Sequence, residues 1–110
     1  MTDTTAVRIF QALGDPTRAA LVHALARHGT ASERVLAAPL PMSRQAVGKH
    51  LRVLSEAGIV SAARAGRETR YVLERAVLAT AETWLAGVGA EWQHQLGLVK
   101  ELAERPSAEA

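Results

Sequence analysis

Residues 43–57 read SRQAVGKHLRVLSEA and run directly into Gly58-Ile59. Val47, Leu51 and Leu54 stand four and three residues apart, the spacing of one buried helix face. Ser43 is placed to cap this helix and Gly58 to stop it. Opposite the apolar stripe lie Arg44, Gln45, Gly48, Lys49 and Arg52. A helix that is apolar on one side and cationic on the other, entered from a shorter helix and a turn, has the form of a helix-turn-helix recognition helix. Arginine can make two hydrogen bonds to guanine, and glutamine two to adenine. Gly48 lacks a side chain, so its backbone can approach a groove closely. The Ser43 hydroxyl can meet a phosphate as well as cap its helix.

Downstream, Ile59–Arg64 and Thr69–Leu73 read as two short strands around the turn Ala65-Gly66-Arg67-Glu68, a wing over residues 59–74. The hairpin carries Arg64, Arg67 and Arg70. Arg67, at the tip beside Gly66, is placed to enter a minor groove or reach a backbone phosphate. Arg64 and Arg70 share period-two parity with Ala62 and Val72 and are expected to flank one face. Glu68 opposes DNA entry unless it pairs locally with an arginine.

Upstream, Thr4 to Leu13 places Val7, Ile9, Phe10 and Leu13 near helical spacing. Asp15-Pro16 starts a second helix with the stripe Leu21, Val22 and Leu25, ended by Gly29. A short third helix is expected from Ser32 to Ala38, capped by Thr30 or Ser32 and closed by Pro39 and Pro41. Leu40 and Ile59 are expected beneath the fourth helix. Residues 75–103 read as one long helix in which Leu78, Ala81, Leu85, Val88 and Trp92 recur at three- and four-residue steps. Leu96, Val99 and Ala103 continue the stripe after a slip of one position. So long a stripe exceeds what a small domain covers alone and implies a partner helix. Gly87, Gly89 and Gly97 weaken this helix and point to a bend or close packing. The terminal RPSAEA is expected to fray.

The charge distribution supports a nucleic-acid face in the middle of the chain. Residues 43–75 hold seven Lys or Arg against three Asp or Glu, whereas residues 76–110 hold two against five. With 110 residues and 48% hydrophobic composition, the chain is expected to form one domain over residues 1–110, mainly α with a small β-hairpin. It has no cysteine, which excludes disulfides and thiolate metal sites and suits the cytoplasm. No secretion signal or membrane span is visible in the sequence.

Three segments together resemble a known family. They are Ala12-Leu13-Gly14-Asp15-Pro16-Thr17-Arg18, Met42 to Leu54, and Ala57-Gly58-Ile59-Val60, with Gly66-Arg67 and Arg70-Tyr71 in the wing. The pattern is similar to ArsR-type winged helix-turn-helix repressors over roughly residues 6–103. The resemblance implies a homodimer built from the first and last helices, with Phe10, Leu78, Leu85, Val88, Trp92, Leu96 and Val99 at its interface. It also implies binding of double-stranded DNA at an inverted repeat in a promoter.

The metal-sensing Cys-x-Cys positions of the family fall on Ser32 and Arg34, and neither is a thiolate. Glu91 and His94 lie three apart on the last helix, but their order does not match the family's second site. No metal ligand or cofactor is assigned; an unidentified small-molecule effector is left open, as are a non-thiolate metal site that includes Glu91 and His94 or the other histidines, a partner protein, or no effector at all. Trp84 and Trp92 belong to the dimer core in one reading and line an effector pocket in the other. His50 is read as structural or phosphate-facing, and His23 and His28 as surface or partly packed. No Ser-His-Asp arrangement, phosphate loop or acidic metal cluster points to catalysis. The competing reading is a winged helix that binds only protein.

Overall fold

The computed structural model describes residues 4–105. The elements are α1 (Thr4–Leu13), α2 (Pro16–His28), β1 (Thr30–Ser32), α3 (Glu33–Ala37), α4 (Arg44–Glu56), β2 (Val60–Ala65), β3 (Glu68–Leu73) and α5 (Arg75–Glu104). Local chemistry sets most of the boundaries. The Asp15 carboxylate accepts from the Thr17 and Arg18 N–H groups at 2.8 and 3.1 Å, and Pro16 occupies the first turn, where no N–H is needed. Gly29, at φ 83°, ends α2. Ser32 Oγ accepts from Val35 N at 3.3 Å, and Ser43 Oγ from Ala46 N at 3.1 Å. Of the two caps open for the third helix, Ser32 is the one used.

Two features depart from the sequence expectation. Thr30–Ser32 forms a strand, so the sheet has three antiparallel strands in the order β1-β3-β2. A three-residue strand is too short for period-two patterning to register, and only pairing with residues 70–72 of β3 defines it. Consequently α3 begins after Ser32 and ends at Ala37. The glycines at 87, 89 and 97 lie in one continuous helix, as expected for residues 75–103, with open space at each in the single chain. Residues 106–110 of the expected fray lie outside the described residues.

The core gathers Ile9, Leu21, Leu25, Val47, Leu51, Leu54 and Ile59, each essentially solvent-free. Leu40 packs against it from the connection before α4. Burying one such side chain contributes about 1.5–3 kcal/mol, so the stripe of α4 is fixed inward and its opposite face outward. After Ala81, every described residue of α5 is exposed. The 30-residue helix runs about 45 Å within a molecule 79 Å long. Phe10 of α1 meets Trp84 edge-to-face, with ring centroids 5.4 Å apart. Among the described residues, no helix is long and apolar enough to cross a membrane.

Candidate nucleic-acid interface

The inward pull on Val47, Leu51 and Leu54 turns Gln45, Lys49 and Arg52 outward, and all three are exposed. They line one side of a groove whose other side is formed by Ala62 and Tyr71 of the sheet. Glu33, at the start of α3, closes this groove. Burial, and then the nearby Glu33 charge, push the Tyr71 phenol above its ordinary pKa, so its hydroxyl stays a donor. Ser43 is exposed at the helix start, where it caps. Arg44 is also exposed but sits apart from Gln45, in a separate cleft with Arg34, Arg67, Glu68 and Thr69. The first turn of α4 and the tip of the wing therefore share one surface.

Gly48 lies beneath the end of the Glu33 side chain. A Cβ there would lie 2.6 Å from Oε1 of Glu33. Gly48 itself lines the groove of Gln45, Lys49 and Arg52, and its missing side chain leaves room there for the Glu33 carboxylate.

The wing also corrects an expectation. Its two-residue turn, Gly66-Arg67, has glycine at φ 65° in the first central position, as a type II′ hairpin turn demands. That turn pairs Arg64 with Thr69 and Arg70 with Ala63. Directly opposed residues share a face, so Arg64 and Arg70 point to opposite faces of the hairpin rather than flanking one. Parity counted along one strand does not carry across an even-length turn. Arg64 and Arg67 are exposed. Arg70 is half-buried: its Nε donates to Thr30 Oγ1 at 3.3 Å and its Nη2 to the Thr30 carbonyl at 3.5 Å.

His50 joins α4 to the start of α2. Its Nδ1 lies 3.2 Å from Nη1 of Arg18 and 3.8 Å from Oδ2 of Asp15. Ser32 and Arg34, at the family's sensing positions, are occupied as a helix cap and as an ion-pair partner of Glu68. Glu91, Trp92 and His94 line one shallow surface of α5 with Val88. Among the described residues, no three His, Cys, Asp or Glu side chains converge to hold a metal ion.

This arrangement has close counterparts. A family model described as a helix-turn-helix domain matches residues 13–61. The HTH-type transcriptional regulator Rv2034 of Mycobacterium tuberculosis is 45% identical over 76 residues, covering 69% of this chain and 70% of that protein. The arsenic resistance transcriptional regulator ArsR1 of Pseudomonas putida is 33% identical over 104 residues, covering 91% of this chain and 81% of that protein. The solved structure of an ArsR-like transcriptional regulator from Rhodococcus sp. RHA1 superposes with a TM-score of 0.79 at 38% identity, over 94% of this chain and 96% of that one. The chain belongs to the ArsR family of winged helix-turn-helix transcriptional regulators.

Membership makes this ArsR-family chain a DNA-binding regulator of transcription and explains why its recognition helix and wing tip converge. The family is one of regulators rather than of enzymes. Sequence reasoning missed Glu33, Arg34 and Tyr71 as parts of the surface. Tyr71 carried a signal, since it sits beside Arg70 in the wing. Glu33 and Arg34 carried none, because only the fold of α3 against the wing brings them there.

Proposed function

We propose that the chain, as a single winged-helix domain over residues 1–110, represses transcription in the cytoplasm. It does so as a homodimer bound to an inverted-repeat operator, and it catalyses no reaction. Base edges are read by Gln45, Lys49 and Arg52, with Arg44 at the wing side of the same major groove. Ser43, Arg64 and Arg67 hold the phosphates, Gly48 lets the backbone of α4 approach the groove, and Arg70 stands beside the wing tip, tied to Thr30 and Glu68. The observation that carries this reading is the exposed Gln45, Lys49 and Arg52 face beside an arginine-tipped wing.

The dimer rests on the exposed stripe of α5, where Leu85, Val88, Trp92, Leu96 and Val99 are 40–61% exposed. Apolar side chains in such a row need a cover, and a second α5 supplies one with the same pattern. Phe10 braces the start of this surface through Trp84. Leu78 is half-buried in the chain's own core, so its share of the interface is smaller than its place in the stripe implied. Two-fold pairing puts the α4 helices into successive major grooves about 34–36 Å apart. With no cysteine, any effector is held without thiolates.

The test is selection of bound sites from a random duplex library, followed by titration of the winning site against scrambled DNA. Recovery of a palindromic site is expected. Absence of any enriched sequence, with no binding in low salt, would favour a protein-binding module instead.

A further inference from the structure

Glu68 is the first residue of β3, next to the wing tip, and its carboxylate stands between two arginines. Its Oε1 lies 3.6 Å from Arg34 of α3, and its Oε2 lies 3.5 Å from Arg70 of the same strand. Arg70 in turn reaches Thr30 of β1. One carboxylate thus ties α3, the wing and the short edge strand together. It does so in the cleft that Arg44 and Arg67 line. Among the described residues, neither Arg44 nor Arg67 has an ion pair.

Both Glu68 contacts are longer than a good hydrogen bond, and the three side chains are 70%, 44% and 39% exposed. Pairs of this kind hold weakly in water, so a DNA phosphate can compete for the same guanidinium groups.

We propose that Glu68 acts as an internal counterion that limits sequence-independent binding and thereby sets the specificity of this regulator. By occupying Arg34 and Arg70, it keeps two cations at the wing from adding to the phosphate contacts that any duplex offers. Phosphate contacts raise affinity for every sequence alike, so each one suppressed leaves the base-reading side chains a larger share of the discrimination. Arg67 stays free to make the contact the wing needs. Glu68 matters in this way only if the chain binds DNA as proposed above.

The experiment measures affinity for a random-sequence duplex across salt, in the full chain and in Glu68→Gln, with thermal unfolding confirming that both are folded. Release of the two arginines makes Glu68→Gln bind more tightly, with a steeper salt dependence. Each added phosphate contact widens the gap to wild type by about threefold when salt falls from about 200 to about 50 mM. Adding Arg34→Ala to Glu68→Gln removes about half of that extra slope. Equal affinity and slope in wild type and Glu68→Gln overturn the proposal. So does weaker binding by Glu68→Gln, which identifies Glu68 as a wing support. A wild-type chain that binds neither random duplex nor any selected site at the lower salt fails at the earlier step and overturns the DNA-binding reading itself.

Discussion

The guanidinium of Arg18 joins the corner before α2 to the recognition helix: its Nη1 lies 3.2 Å from Nδ1 of His50 and its Nε donates to the Ala12 carbonyl at 2.6 Å. Arginine only donates, so the contact casts His50 Nδ1 as the acceptor. The end of α1 and the middle of α4 therefore share one side chain. Arg18→Ala leaves a half-buried imidazole and a carbonyl without that donor. Its stability is expected to fall by roughly 1.5–3 kcal/mol in urea unfolding, the range for hydrogen bonds to charged groups. Arg18→Lys recovers only part of this, because one ammonium cannot span both acceptors in the same geometry.

Asp15 gives a pH dependence of known sign. The Arg18 N–H donated to its carboxylate, followed by that of Thr17, holds its pKa below the ordinary 3.8, against a counteracting effect of partial burial. A carboxylate with a depressed folded-state pKa stabilises above its unfolded value, and that stability is lost as pH falls through the folded value. Asp15→Asn keeps an oxygen for the cap but removes the titration. The wild type is therefore expected to lose its advantage over Asp15→Asn from about pH 3.8 downward. Urea midpoints measured from neutral to acid pH check this, and a constant difference between the two proteins contradicts it.

At position 48, an added methyl meets only the end of the Glu33 side chain, which can swing away. Alanine also favours a helix interior over glycine by about 1 kcal/mol. Gly48→Ala is therefore expected to fold with undiminished stability, and Gly48→Ala with Glu33→Ser to gain up to about 1 kcal/mol. A large loss in the double variant contradicts the account of the Glu33 side chain as the neighbour that an added methyl meets.

Trp92 is 61% exposed and Val99 60% in the isolated chain. A charge within such an apolar row opposes its coverage by a second copy. Trp92→Glu with Val99→Glu is expected to sediment as a folded monomer at micromolar concentration and to lose operator affinity. The wild type is expected to sediment as a dimer, and a monomeric wild type at that concentration rules out the two-fold arrangement.

The recognition helix and wing separate on cognate and scrambled DNA. Gln45→Ala is expected to lower discrimination by roughly 1–3 kcal/mol if its contact is bidentate. Arg67→Ala weakens binding to both duplexes similarly and reduces the salt slope by about one. Titrations with both duplexes at several salt concentrations resolve the two patterns. An equal loss on both duplexes for Gln45→Ala contradicts its base-reading role.

The sequence by itself determined the helices, their caps and the inward face of α4. Asp15, Ser43 and Gly29 act on backbone groups within a few residues, and Val47, Leu51 and Leu54 share a face because the helical repeat places them there. These effects are local, so spacing along the chain contains them. It also marked Arg67 as the wing tip, because Gly66 beside it specifies the turn. Only the tertiary structure decided what crosses between elements. Thr30–Ser32 is a strand because β3 lies beside it, and Arg64 and Arg70 part company because the turn sets the register. Gly48 answers to Glu33, Arg18 to His50, and Glu68 to Arg34, across separations of 15, 32 and 34 positions in the chain. Such partners have no fixed offset in sequence. They meet because burial of the core fixes where each helix and strand lies.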